Sequence, residues 1–341
     1  MECSKTFKEM KNPKVTVIMS VWNGEKYLQE AIDSILGQTF RDFEFLIVND
    51  GSTDKTGEIL KSYNDPRIKI INNEKNIGLT KSLNKGLKLA RGEYIARQDA
   101  DDISMPERLE KEIEFLEQNR SAGLVGTDYL MINEKGKIVH IVKCLNGNRE
   151  LKAKLLEGNQ FGHGSVMLRR ECIDKVGTYR EEFKFAQDYD FYLRIAEVYD
   201  VANISEPLYK WRINIKSVSV KKKALQDKYA LLAIELAKER KQSGKDKLQS
   251  LNKEEIDKLL DELISDTRAK DRKKIAEGYY FWSRVLFGGK DYKGAFKLLF
   301  KSLVSYPLNK ETWVLVFKDL AILLFPKSVI NVLRYIKRSI F

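Results

Sequence analysis

Apolar runs alternating with helical periodicities organise the first 125 residues. Val15–Val21 is almost continuously apolar, as expected of a strand covered on both faces. Leu28, Ile32, Ile35 and Leu36 then recur at helical spacing, and a second strand, Phe43–Val48, runs into the turn-forming Asn49-Asp50-Gly51. Asp54 is placed to cap a short helix over Lys55–Tyr63. Ile68–Ile71 predicts a third strand, and Leu79, Leu83, Leu87 and Ala90 an amphipathic helix. Tyr94–Arg97 is a short fourth strand leading into Asp99-Ala100-Asp101-Asp102. Pro106 then opens a helix through Leu109, Ile113 and Leu116. This β-α-β-α succession predicts an α/β domain, a mostly parallel sheet with helices on both faces. Ligands of such sheets gather at the carboxyl ends of strands, so Trp22-Asn23, Asn49-Asp50 and Asp99–Asp102 are expected to converge.

Residues 125–220 read as α+β, with a hairpin near Asn133-Glu134-Lys135-Gly136 and a polar loop over Gly158–Gly164. Beyond residue 221 the pattern is helical. Leu225, Tyr229, Leu232 and Leu236 form one apolar stripe, and a charged linker is expected over Lys238–Lys247. Tyr280, Gly289, Tyr292, Ala295 and Pro307 resemble a single tetratricopeptide-like helix pair. The expected domains are therefore 1–220, a helical extension 221–312, and a last helix 313–341.

The chain has 341 residues and a formal charge of +12, so acidic partners such as nucleotide phosphates or anionic lipid heads are favoured. Three scattered cysteines, Cys3, Cys144 and Cys172, build neither a disulfide framework nor a metal knuckle. Two histidines, His140 and His163, exclude any histidine-cluster chemistry. There is no GxGxxG after a strand and no GxxxxGK[ST], which removes dehydrogenase and P-loop readings. No signal peptide or spanning helix is read. Trp313–Phe341 is apolar and aromatic with interspersed Lys327, Arg334, Lys337 and Arg338. It is expected either to lie on a membrane surface or to pack on the domain.

Asp99-x-Asp101 in a turn after a strand suits a hard divalent cation that also takes diphosphate oxygens, although by itself such a triplet is as easily a solvated turn or a cap. Its company is more specific. Ser20-Val21-Trp22-Asn23, Asn49-Asp50-Gly51-Ser52-Thr53-Asp54, Arg97-Gln98-Asp99-Ala100-Asp101-Asp102 and Ala186-Gln187-Asp188-Tyr189-Asp190 occur in this order on the required elements. Together they resemble the family 2 glycosyltransferases of GT-A fold, in the bacterial and archaeal surface-polysaccharide branch, from about Lys14 to Ser219.

The resemblance implies an inverting, metal-dependent enzyme. It would use a nucleotide-diphospho sugar, uridine-linked, and act on a saccharide or lipid-linked acceptor at the cytoplasmic face of the membrane. Ser20, Trp22, Asn23 and Glu25 fall where the family cradles base and ribose, and Asp50 where a carboxylate meets the uracil N–H. Asp99 falls near ribose and diphosphate, and Asp101, with Asp99, on the Mn2+ or Mg2+ site. Arg97 either pairs with donor phosphates or braces the aspartates. Asp188 falls on the general base, the carboxylate that deprotonates an acceptor hydroxyl. Gln187 and His163 fall near the acceptor, His163 alternatively being a packing residue. Lys210 and Arg212 match a basic segment that closes over the diphosphate. Four positions depart from the family pattern: Ser20 for Pro, Trp22 for Tyr, Gln187 for Glu, and Arg212 where relatives often carry a metal-completing histidine. A sugar-phosphate nucleotidyltransferase would need a Gly-rich basic loop after the first strand, which is missing. A basic membrane-binding module, with no enzyme activity, would leave the aspartates without a purpose, and nucleic acid is not expected as a partner.

Overall fold

The computed structural model describes residues 12–213, 223–265, 269–307 and 313–314. Its sheet contains β1 (Val15–Val21), β2 (Phe43–Asn49), β3 (Ile68–Asn72), β4 (Tyr94–Asp99), β5 (Ile103–Ser104), β6 (Ala122–Ile132), β7 (Ile138–Val142), β8 (Met167–Arg169) and β9 (Asp200–Arg212). The strand order is β3-β2-β1-β4-β8-β6-β9-β5, with β7 paired to β6. The first four strands are parallel, as the alternation of strands and helices predicts. From β8 onward the sheet is mixed: β8 is antiparallel to both β4 and β6, and β6 runs parallel to β9.

Helices α1 (Leu28–Leu36), α2 (Thr56–Ser62), α3 (Leu79–Leu89) and α4 (Arg108–Gln118) connect these strands. The alternation within β1 assigns them to faces. Val15, Val17, Met19 and Val21 join Ala31, Ile32 and Ile35 of α1, Leu60 of α2 and Leu109, Ile113 and Leu116 of α4 in one buried core. Each such Val, Leu, Ile or Met side chain contributes about 1.5–3 kcal/mol by leaving water. Ile18 points the other way, against α3, where a Cβ on Gly86 would meet its Cγ2 at 2.7 Å. That glycine lets α3 lie directly on the sheet, so both faces are covered.

The expected hairpin at Asn133–Gly136 joins β6 to β7, with Gly136 at φ +75°. Helices α5 (Asn148–Leu155), α6 (Glu171–Val176) and α7 (Gln187–Val198) belong to the same unit, and the polar loop ends in a 3₁₀ turn, His163–Ser165. Helix α8 (Lys223–Ser243) extends beyond the boundary expected at residue 220: residues 225–260 group with the sheet. It buries Tyr229, Leu232, Ala233, Leu236 and Ala237, and Tyr229 packs against Phe183 and Phe185. The charged linker expected over Lys238–Lys247 is instead the last turns of α8 and a short 3₁₀ turn. Two of its charges have distant partners: Arg240 bonds Glu197, and Asp246 bonds Arg180, while Lys238, Lys241 and Lys245 are exposed. Helix α9 (Lys253–Ser265) follows.

A second unit begins near residue 261. It contains α10 (Ala269–Gly288) and α11 (Tyr292–Ser305), which form a helix hairpin. Ala276, Trp282, Ala295, Leu298 and Leu299 are buried in it, and Ser302 Oγ donates to the Ala276 carbonyl at 2.7 Å. Apart from Trp313 and Val314, the C-terminal helix expected over 313–341 lies outside the described residues, as does Cys3. No described helix is long and apolar enough to cross a membrane.

Candidate active site

Register brings the predicted clusters together. Val21 lies opposite Asn49 and Ser20 opposite Asp99, so the loops leaving β1, β2 and β4 emerge from one sheet edge. The first two loops are bonded to each other. Asn23, left-handed at φ 52°, accepts the Thr53 N–H through its Oδ1 at 2.8 Å. Gly24 N–H donates to Thr56 Oγ1 at 2.9 Å, and Glu25 accepts from Lys55 N–H at 3.1 Å. Asn23 and Glu25 therefore build the wall of the site with their own side chains. Trp22 stands 57% exposed beside them, and Ser20 is half-buried at the strand end.

Asp50 is buried and fully engaged: Oδ1 accepts from Asn73 Nδ2 and Ile77 N–H, and Oδ2 from Gly78 N–H, each at 2.9 Å. Its carboxylate pins the loop from Asn73 to Gly78 against the end of β2.

The aspartate turn rests on two buried arginines. Arg97 donates to the carbonyl of Ile18 at 2.8 Å, to Asp99 Oδ1, and to Nε2 of His163 at 3.2 Å. These bonds hold the Asp99 carboxylate in place. Arg108, with no exposed surface, donates to Gln98 Oε1, Ser104 Oγ and the carbonyls of Arg97 and Gly164. Glu112 is its ion-pair partner at 3.2 Å, and burial pushes that carboxyl up to about 7. Sequence reading missed Arg108. The signal was an Arg–Glu pair at i,i+4 beside Leu109, Ile113 and Leu116, on a face otherwise destined for the core.

Asp102 ties β9 to the turn. It accepts the Tyr209 hydroxyl at 2.9 Å and the Arg212 N–H at 2.7 Å. Arg212 is occupied throughout its guanidinium: it donates to the Asp101 carbonyl at 2.8 Å, pairs with Glu30, and lies 4.3 Å above the Tyr27 ring. With 2% of its side chain exposed, it braces the aspartate turn and does not face an open diphosphate site. Lys210, half-buried on the same strand, pairs in register with Ile103 and Leu130.

Asp188 lies in the first turn of α7, whose preceding residue Ala186 is left-handed at φ 54°. Such a conformation in a residue with a Cβ costs about 1–2 kcal/mol and marks a constrained start. Asn159 Nδ2 donates to Asp188 Oδ2 at 2.9 Å. Asp188 takes a bond from Asn159, and Arg97, bound to Asp99, reaches His163, so carboxylates from two separate motifs are tied to the one polar loop Gly158–Gly164. His163 Nε2 lies 3.3 Å from the Tyr179 hydroxyl, and burial with the adjacent Arg97 lowers its pKa. Gly164 packs so closely that a Cβ there would meet the Tyr209 hydroxyl at 1.9 Å and Asp99 Oδ2 at 3.0 Å. Gln187 is buried beside Asp188, and Asp190 pairs with Arg194 at 3.0 Å. Asn159 and Tyr179 come from irregular loops with no periodicity to announce them.

Among the described residues no three His, Cys, Asp or Glu side chains form a ready-made metal cage. The donor set nevertheless fits a hard divalent ion sharing its sphere with diphosphate oxygens. Burial and the Asp99 carboxylate push Asp101 up to about 6, the mark of negative charge that the protein leaves uncompensated.

The family model described as glycosyl transferase family 2 matches residues 16–177. An uncharacterized glycosyltransferase of Methanocaldococcus jannaschii is 40% identical over 232 residues, 65% of this chain and 80% of that protein. The chain belongs to glycosyl transferase family 2. Within that family it is also similar to the O-antigen biosynthesis glycosyltransferase WbnJ of Escherichia coli, at 38% identity over 210 residues, 60% of this chain and 81% of the relative. The crystal structure of S. aureus TarS 1-349 in complex with UDP matches at TM-score 0.55 and 18% identity, over 88% of this chain and 91% of that one. The same protein with UDP-GlcNAc matches at TM-score 0.54 and 18% identity, over 80% and 81% of the two chains. At that identity the likeness establishes a shared fold, the GT-A fold expected from the motif order. Family 2 membership makes the protein a glycosyltransferase, so the nucleotidyltransferase and non-enzymatic readings fall.

Proposed function

We propose that this glycosyltransferase moves a sugar from a uridine-diphospho sugar to a hydroxyl of a saccharide or lipid-linked saccharide, inverting the anomeric centre. The observation carrying this reading is that Asp99 and Asp188, 89 residues apart in sequence, are tied to the same loop, Asp188 through Asn159 and Asp99 through Arg97 and His163. TarS structures that hold UDP and UDP-GlcNAc on the shared fold support a uridine donor, and the O-antigen role of WbnJ supports a surface-polysaccharide acceptor.

The base lies against exposed Trp22, above the wall held by Asn23 and Glu25 and the loop held by Asp50. Ser20 borders the ribose, and Lys210 faces the diphosphate. Asp101 with Asp99 would hold Mn2+ or Mg2+, which would offset the charge developing on the leaving diphosphate. Arg97 keeps Asp99 oriented. Asp188, turned by Asn159, takes the proton of the attacking hydroxyl as it approaches the anomeric carbon from the face opposite the leaving group. Gln187 lines the acceptor side. Residues 313–341 attach the enzyme to the inner face of the membrane through their basic and aromatic side chains.

A binding screen of nucleotide sugars with and without Mn2+ or Mg2+, read by thermal shift and slow donor hydrolysis, tests this directly. Stabilisation by uridine-linked sugars that requires the cation supports the reading. Stabilisation by guanosine or cytidine donors alone overturns the uridine assignment, and equal stabilisation with chelator present overturns the metal.

A further inference from the structure

The helix that carries Asp188 is clamped at both ends by the segment following residue 223. At its last turn, Glu197 receives Arg240 of α8, from Nε to Oε2 and from Nη2 to Oε1 at 2.8 Å each, and from Nε to Oε1 at 3.0 Å. At its first turn, Asp190 receives Arg180 at 3.5 Å, and the same guanidinium reaches Asp246 at 2.8 Å. Asp246 has no exposed side-chain surface and also receives Arg240. Charges therefore alternate without a break from Asp190 through Arg180, Asp246 and Arg240 to Glu197. Arg194 closes the inner side, donating to Asp190 and to the carbonyls of Val176 and Thr178.

A chain of buried ion pairs is weak evidence for stability, since desolvation offsets much of the attraction, but it fixes geometry well. Here it fixes the turn that needs fixing. Asp190 lies two residues beyond Asp188, and the turn begins from the left-handed Ala186. We propose that the Arg180–Asp246–Arg240 node is a positioning device for Asp188, so that residues 225–260 belong functionally to the catalytic machinery. Asp246 does not touch substrate; it acts through Arg180 and Asp190 on the orientation of the carboxylate two residues away.

This inference rests on Asp188 being the base, and the test separates the two. Steady-state transfer, donor affinity and thermal unfolding are measured for Asp246→Asn, Arg180→Met, Arg180→Lys and Asp188→Asn in the full chain. The expected result is a kcat at least tenfold lower for Asp246→Asn and Arg180→Met, donor KM and UDP affinity within twofold of the parent, and partial recovery in Arg180→Lys. Glu197→Gln, at the accessible end of the network, covers the case in which the buried variants fail to fold. A severalfold fall in kcat with unchanged donor affinity is expected for it. Parental kcat in the folded variants beside an inactive Asp188→Asn overturns the brace alone. A fall in kcat matched by an equal loss of UDP affinity also overturns it, because the node would then serve the fold at large. An active Asp188→Asn overturns the base assignment itself.

Discussion

Arg97 Nε donates to Nε2 of His163 at 3.2 Å, which puts the proton of the neutral ring on Nδ1. Burial and this guanidinium hold the ring below its ordinary pKa, so His163 is neutral near pH 7. The histidine therefore serves as an acceptor for a buried cation that is itself committed to Asp99. The packing and site-lining roles open from sequence meet in this one bond.

Because that bond needs an acceptor, His163→Gln, which retains one, should keep most of the stability. His163→Leu strands the Arg97 Nε and should cost about 1–3 kcal/mol. Denaturant melts of the two variants check this; equal losses would mean the bond carries no weight.

Asp188→Asn keeps the shape of the side chain and its contact with Asn159 but removes the proton acceptor. Transfer should fall about 10²–10⁴-fold, with donor affinity within twofold of the parent. Asp101→Asn should instead weaken cation-dependent donor binding along with turnover. Calorimetric titration of UDP with Mn2+, alongside initial rates, distinguishes the two.

Arg212 and Lys210 share a strand and should behave differently. Arg212→Met strips the guanidinium from the Asp101 carbonyl and from Glu30 but keeps the main-chain bond to Asp102, so the unfolding midpoint should drop by several degrees. Lys210→Ala should leave the midpoint in place and raise the donor KM. A reversal of this pattern would return Arg212 to the diphosphate.

Glu44 supplies a pH test remote from the site. Its buried carboxylate receives Thr16 at 2.8 Å, Lys69 at 2.7 Å and Arg91 at 2.8 Å. Burial alone would raise its pKa, but these donors outweigh it and hold the group at about 2, against 4.5 when unperturbed. The folded value is depressed, so the stabilisation is complete above pH 4.5 and is lost as the pH falls toward 2. It amounts to roughly 3 kcal/mol. Glu44→Gln should lower the melting temperature at pH 7, and the gap to the parent should narrow at pH 3.

The parallel half of the sheet was legible because each strand is a short apolar run bounded by turn residues, as in Val15–Val21 and Phe43–Asn49. The acidic clusters were legible because they follow those strands directly. The buried arginines were not. Arg212 meets Asp102 across 110 residues and Arg108 meets the Gly164 carbonyl across 56, separations at which local pattern carries no information. The end of α8 was misread for the same reason: a run of charges looks solvated until Glu197 and Asp246 are found opposite Arg240.

In the strand order, the four parallel strands meet the rest of the sheet at the β4–β8 ladder, three residue pairs long from Tyr94↔Arg169 to Ala96↔Met167. Side chains reinforce so narrow a seam: Arg108 reaches the Gly164 carbonyl and the Tyr209 hydroxyl reaches Asp102. A graft of a relative's residues 122–213 must therefore carry His163, Tyr209 and Arg212 with it as well as three ladder positions, and recognition of new acceptors is to be sought by changes inside that frame.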